Sequence, residues 1–452
     1  MKILIVKLSS LGDVVHTLPA AMDIKAHLPE AQIDWVVERA FAPLLKIASP
    51  VDNVIECDIR SWRKSFWKAK TRLEFKEFKQ LLQKDSYDAI IDLQGLSKSA
   101  LISWLACLVP GGKRFAIGNQ TEGASYEFMT RWVADIPIDV HSRVHAVDRS
   151  RIICSKALGY EDSLKSEPQF SPSTPKAPSS LVVTPSKEVL PKTIALIHAS
   201  SRDDKTWPIS YWTVLGEALM QKGFNIALPQ GSDTELEQAR KISNTLVGSK
   251  VWLKMSLDEV SAHLAACVGV IGVDSGLSHI AEALDLPLVQ IYNFETDWRT
   301  GPIRHDYQTS VYAEPTPSVQ EVLDSWIKVW DLYQSQVTVT AEISTASSNV
   351  TTRLETSKRP KLSMSSNSTK THKAIEGNEG NEGNSPLPTS GVVSPIAARD
   401  DVSMSSNSKT QDSGNVAPVK PTTMPATKPA TKPATKPAPN NSAPSPQLGL
   451  FD

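Results

Sequence analysis

Ten short apolar runs, five before residue 120 and five after residue 192, alternate with longer stretches of helical period. The first five are KILIVKL (2–8), IDWVVE (33–38), NVIECD (53–58), YDAIIDL (87–93) and RFAIG (114–118). The second five are TIALIHA (193–199), FNIALP (224–229), KVWLK (250–254), VGVIGV (268–273) and LVQIY (288–292). Strands this apolar need cover on both faces, which helices between parallel strands supply. The rhythm breaks between 164 and 192, where prolines and serines replace apolar residues. The pattern predicts an α/β chain with a Rossmann-like domain over 1–163, a linker over 164–192 and a second Rossmann-like domain over 193–338, closed by a helix at 318–333.

The last 112 of the 452 residues are of a different kind. They hold 13 of the 31 prolines, no Trp or Tyr, and one Phe, at the last position but one. They also carry an EGNEGNEGN run (376–384), a duplicated SMSSNS (363–368 and 403–408) and three PATK repeats (425–436). So little apolar surface cannot offset the entropy of ordering a chain, and 339–452 is expected to be a disordered low-complexity tail. The formal net charge of −1 argues against a dedicated nucleic-acid binder. Four cysteines lie far apart with no CxxC spacing, which suits reduced thiols in a reducing compartment. The opening MKILIVKLSSLGD reads as a strand and not a secretory signal, and the longest apolar stretch, 101–109, is half of what a membrane span needs. The expected location is cytoplasmic.

Open α/β sheets bind ligands beyond the carboxyl ends of their strands, so the loops after strands are the candidate sites. Ser9-Ser10-Leu11-Gly12-Asp13 follows the first strand and opens a helix. Asp13 fits either a helix N-cap or a general base facing the second domain, and spacing does not separate the two. The single glycine excludes the GxGxxG dinucleotide fingerprint. In the second domain, His198 to Pro208 (HASSRDDKTWP) offers hydroxyls, backbone N–H groups and Lys205 just before a helix, which suits either a phosphate or a capped, solvated loop. The loop Val273-Asp274-Ser275-Gly276-Leu277-Ser278-His279 also leads from strand to helix, and Gly276 permits close backbone approach to an anion. Two such loops in one domain point to a diphosphate.

Residues 60–84 carry nine basic and two acidic side chains interleaved with Trp62, Phe66, Trp67, Phe75 and Phe78. The C-terminal half reads as an amphipathic helix on the core. The N-terminal half, with Arg60, Trp62, Arg63, Lys64 and Trp67, suits an anionic amphiphile or a membrane surface.

Six ordered motifs now carry a resemblance: KILIVKLSSLGDVVHTLPA, RSWRK, DLQGLSKSA (92–100), HASSRDDKTWP, LPQGSDTE (228–235) and VDSGLSHIAEAL. Over about residues 1–338 the chain resembles the lipopolysaccharide heptosyltransferases, and the SRDDKTWP form resembles those that add the first heptose. The resemblance implies a GT-B fold, two Rossmann-like domains facing a cleft, with no metal and no cofactor. It implies transfer of heptose from ADP-heptose to Kdo of Kdo-lipid A with inversion, by an enzyme peripheral on the cytoplasmic face of the inner membrane. Asp13 would be the general base. Ser200, Ser201 and Lys205 would hold the donor phosphates, helped by Gly276 and the helix it starts, with His279 near the diphosphate, Asp274 on sugar hydroxyls, Asp233 on the ribose, and Ser275 and Leu277 also among the donor-binding residues. Arg60, Arg63, Lys64 and Lys98 would meet the acceptor. Position 233 is Asp where Glu is familiar in the family, a shorter reach to the ribose.

Two rival readings are another GT-B nucleotide-sugar enzyme, such as a second heptosyltransferase or an epimerase, and a protein that binds nucleotide without turnover. In the tail, Gln447-Leu448-Gly449-Leu450-Phe451 resembles the peptide by which bacterial proteins dock on the DNA sliding clamp.

Overall fold

The computed structural model describes residues 1–160, 181–303 and 305–356, the side chains of 339–356 excepted. In the first half β1 (Lys2–Val6), β2 (Gln32–Glu38), β3 (Asn53–Cys57), β4 (Ser86–Asp92), β5 (Cys107–Ile117) and β6 (Ile136–Ile138) form a sheet ordered β3-β2-β1-β4-β5-β6. In the second half β7 (Thr193–Ile197), β8 (Asn225–Leu228), β9 (Lys250–Val251), β10 (Gly269–Val273), β11 (Leu288–Tyr292) and β12 (Gln308–Tyr312) are ordered β12-β11-β10-β7-β8-β9. All neighbouring strands are parallel. Counted from its own first strand, each sheet reads 3-2-1-4-5-6, which places a switch point between β1 and β4 and another between β7 and β10.

The ten strands expected from the sequence are present, and β6 and β12 are additional. Both are edge strands. Pro137 sits within β6, where only an edge tolerates the missing N–H, and β12 (QTSVY) is too polar to read as a buried run.

The first half carries helices α1 (Leu11–Val15), α2 (Leu18–His27), α3 (Ala42–Lys46), α4 (Ile59–Ser65), α5 (Ala69–Leu82), α6 (Ser97–Leu105), α7 (Met129–Val133) and α8 (Ala146–Leu158). The second half carries α9 (Ile209–Gln221), α10 (Asp233–Thr245), α11 (Leu257–Ala265), α12 (Gly276–Ala283), α13 (Asp297–Thr300) and α14 (Val319–Thr356). The outer face of the first sheet is covered by Trp62, Phe78, Leu82 and Ile102 from α4, α5 and α6. The outer face of the second is covered from α9, α10 and α14, whose Val322, Trp326 and Val329 are buried. The two inner faces join in one apolar cluster in which Leu11 and Val14 of α1 meet Leu277 and Ile280 of α12.

Two boundaries differ from the sequence reading. Part of the expected linker is packed: Leu181 is buried and bridges Ala48, Val182 N–H donates to Ile47 O at 2.7 Å, and Ser186 N–H donates to Ala262 O at 2.9 Å. The closing helix, expected at 318–333 with the tail from 339, runs to Thr356. No proline or glycine occurs between Pro317 and Pro360, so the local sequence holds no helix breaker there. The SMSSNS, EGN and PATK segments and the QLGLF peptide lie outside the described residues.

Candidate active site

The loops at the first switch point brace one another. Lys7, buried at the end of β1, donates from Nζ to Leu93 O at 3.0 Å, and Gln94 Oε1 accepts the N–H groups of Leu8 and Ser9 at 3.0 Å each. Asp92, its pKa pushed by burial up to about 6, accepts from Gln94 N at 2.9 Å and Ser99 Oγ at 2.8 Å. Part of the DLQGLSKSA motif is therefore a scaffold for the loop that presents Asp13.

Asp13 is not the N-cap of α1. Ser10 holds that position, and Asp13, three residues on, accepts Ser10 N and Ser10 Oγ on Oδ2 at 3.1 Å each. Its other oxygen, Oδ1, lies 3.6 Å from Lys7 Nζ and 3.7 Å from Arg149 Nη2. Burial by itself would raise this carboxyl, but the two cations and the Ser10 donors prevail and bring it down to about 2. Asp13 is thus an anion with two occupied sides, still a third open to solvent.

At the second switch point Lys205 Nζ pairs with Asp274 Oδ2 at 2.6 Å, and Ser200 Oγ donates to Asp274 O at 3.2 Å. His279 Nε2 lies 3.3 Å from Asp274 Oδ1, and His279 Nδ1 lies 3.1 Å from His16 Nε2 across the cleft. Burial opposes protonation of His279, yet hydrogen bonding to Asp274 and Glu282 raises its pKa to about 9. Burial and the neighbouring histidines push His16 well down, and burial brings His145 down to about 4. His279 is the charged member of this trio, and His16 and His145 are neutral. Among the described residues, His16, His279 and Glu282 form a group whose ligand atoms lie within 4.8 Å of one another, a donor set compatible in type with a divalent cation.

Two glycines let the domains close on each other. A Cβ on Gly12 would lie 2.7 Å from His279 Cδ2, and one on Gly276 would lie 2.6 Å from Leu11. The starts of α1 and α12 therefore pack with each glycine's backbone against a side chain of the other helix.

Two cavities open from this contact. The first, of about 310 Å³, is lined by Lys7, Arg60, Lys98, Arg149 and Arg299, with Asp13 the lone carboxylate among the described residues that line it. The second, of about 150 Å³, is lined from one side by Ser10, Asp13 and His16 and from the other by Ser200, Ser201, Lys205, Asp274, Ser275, Gly276 and His279. Asp13 and Arg299 border both.

Most of the sequence candidates meet here, and several do not. Arg63 and Lys64 are exposed and line neither cavity. Asp233 is exposed in the first turn of α10, and Leu277 packs into the interdomain core. The basic-aromatic stretch is split: Trp62 is buried against Phe75 and Phe78, whereas Trp67 is 91% exposed. Sequence reasoning missed Lys7, His16, Arg149 and Arg299. Only Lys7 left a signal, as a lone cation at the end of an apolar strand. Arg149 sits in α8 and Arg299 in α13, brought to the cleft by tertiary structure alone.

Facing 3-2-1-4-5-6 sheets whose carboxyl ends share one cleft are the GT-B arrangement of nucleotide-sugar glycosyltransferases. The chain belongs to glycosyltransferase family 9, the heptosyltransferases, whose pattern matches residues 75–323. Lipopolysaccharide heptosyltransferase 1 of Escherichia coli K12 is 37% identical over 293 residues, 65% of this chain and 88% of that protein. The enzyme of the same name from Pseudomonas aeruginosa is 35% identical over 307 residues, 67% of this chain and 81% of that one. The structure of E. coli heptosyltransferase WaaC with ADP superposes with a TM-score of 0.62 at 32% identity, covering 73% of this chain and 98% of that chain.

Proposed function

We propose that the protein transfers heptose from ADP-heptose to a Kdo residue of Kdo-lipid A, with inversion, as the first heptose of the lipopolysaccharide inner core. The observation that carries this reading is the position of Asp13, the carboxylate that borders both cavities. The larger cavity, with five cations, suits an acceptor bearing carboxylates and phosphates. The smaller, with the α12 N-terminus, hydroxyls and Lys205, suits a diphosphate. The similarity to heptosyltransferases 1 supports the order of addition.

In this mechanism the acceptor hydroxyl oxygen attacks the anomeric carbon from the Asp13 side while the bond to the ADP oxygen breaks on the other, and the hydroxyl proton passes to Asp13. A carboxylate near pKa 2 is a weak base, so the transfer comes late, when the forming bond has made the hydroxyl acidic. A Kdo carboxylate entering beside Lys7 and Arg149 competes for the same cations and raises the basicity of Asp13. Lys205 exchanges part of its hold on Asp274 for the donor phosphates and offsets charge on departing ADP, while Asp274 takes sugar hydroxyls. His279, kept protonated by Asp274 and Glu282, adds positive charge beside the diphosphate. Arg60 and Lys98 hold acceptor anions. The acceptor is a bilayer lipid, so the enzyme works as a peripheral protein at the inner membrane.

The test is ADP release from ADP-heptose with and without Kdo-lipid A. Release that depends on the acceptor supports the reading. Isomerisation of the donor, or acceptor-independent release, overturns it in favour of an epimerase or hydrolase.

A further inference from the structure

The outward side of the first domain carries large aromatic side chains that the active site does not use. Trp67 after α4 is 91% exposed, Trp104 in α6 is 64% exposed, and Trp132 in α7 is 72% exposed. Phe128 is exposed beside Trp132, the two rings edge to face at 5.0 Å. These elements belong together: α4, α5 and α6 cover one face of the sheet, and α7 packs against α6. Single exposed aromatics are ordinary, but a group of Trp and Phe on one layer of helices marks an interaction surface.

Two features say what covers it. The layer is continuous with the acceptor-side cavity: Lys98 in the first turn of α6 lines that cavity, and Leu101 and Trp104, on the following turns, are exposed. Tyr126 lines it too, two residues before Phe128. The layer is also strongly cationic, with nine basic against two acidic residues over 60–84 in a chain whose net charge is −1. Tryptophan with lysine and arginine is the composition of proteins that rest in the headgroup region of an anionic bilayer, rings at the acyl boundary and cations on phosphates.

We propose that the outer layer formed by α4, α5, α6 and α7 is the face by which the protein docks on an anionic lipid bilayer, setting the mouth of the acceptor cavity at the headgroup level. This deepens the acceptor reading above, and the vesicle-binding part of its test uses neither donor nor acceptor. The full chain is sedimented with vesicles of phosphatidylethanolamine and phosphatidylglycerol, and with phosphatidylcholine vesicles, alongside the Trp67→Ala/Trp104→Ala/Trp132→Ala variant. The wild type is expected to bind the anionic vesicles, less well as salt rises, and the variant to bind them roughly tenfold more weakly at an unchanged melting temperature. The variant's turnover on detergent-dispersed acceptor should be unchanged, and its turnover on acceptor embedded in vesicles should fall by a similar factor. Equal vesicle binding by variant and wild type, or none by either, overturns the proposal. A wild-type dimer in solution that the substitutions dissociate also overturns it, because a second copy of the chain would then cover the face. Vesicle binding without acceptor-dependent transfer would leave the docking face standing and remove the proposed function.

Discussion

Lys205 Nζ lies 2.6 Å from Asp274 Oδ2, so the two donor-side loops are tied by an ion pair that is largely shielded from solvent. The loop after β7 and the loop after β10 are thereby held at one spacing before any donor arrives, with the Ser200 hydroxyl on Asp274 O as a second tie. A nucleotide diphosphate placed between them meets a lysine already directed into the cavity.

Lys205→Ala should therefore weaken ADP binding and lower turnover together, the latter by about 10²-fold or more, in the range for removing one donor that meets charge developing in the transition state. Calorimetric titration with ADP and steady-state rates check this. Unchanged ADP affinity would mean that Lys205 serves only to hold Asp274.

Gly276→Ala places a methyl group 2.6 Å from Leu11, where the start of α12 meets the start of α1. Overpacking of that kind costs roughly 1–3 kcal/mol and pushes the domains apart. The expected result is a lowered melting temperature with a disproportionate rise in KM for the donor, measured by thermal denaturation and kinetics.

The contribution of these histidines to stability should peak near the ordinary histidine pKa of about 6.5. His279, raised to about 9, stabilises the folded state fully below the unfolded pKa, and that contribution is lost as pH rises from about 6.5 through about 9. His145, brought down to about 4, acts in the opposite sense, as does His16: each must charge on unfolding, so stability falls as pH drops below about 6.5. His279→Gln should flatten the alkaline limb and also make the acid limb shallower, because the charge on His279 helps to hold His16 and His145 down, and denaturant titrations at a series of pH values would read both changes.

How much of this was legible beforehand depended on the kind of signal. Strands such as VGVIGV and TIALIHA announce themselves because a parallel strand buried on both faces must be apolar throughout. Edge strands can escape that rule: β6 (IPI) is short and holds a proline and β12 (QTSVY) is polar, so neither showed, whereas the more apolar edge strands β3 and β9 did. The carboxylate of the SSLGD loop and the two anion-type loops could be found because switch-point geometry puts functional groups just after strands. Arg149 and Arg299 sit on helices, with nothing local to distinguish them from surface cations. The Lys205–Asp274 pair joins residues 69 positions apart and could not be read from either loop alone.

Trp326 in α14 is 1% exposed and packs edge to face with Phe224, so Trp326→Ala should cost about 3–5 kcal/mol. Removal of residues 357–452 should leave the melting temperature and the rate on purified substrates unchanged, because their composition offers little to bury. Paired thermal melts of the two proteins check both statements. A tail deletion that lowered the melting temperature would show that those residues pack on the enzyme.

Asp13→Asn separates the proposed transfer of the acceptor's proton to Asp13, at the junction of the two cavities, from a purely structural role for this residue. The amide can still accept the Ser10 N–H and keep α1 in place, but it cannot take a proton. Turnover is expected to fall by about 10²–10⁴-fold, with ADP affinity within about a factor of two of the wild type. Full turnover in a correctly folded Asp13→Asn protein would contradict the proposed transfer and leave Asp13 as a first-turn helix residue only.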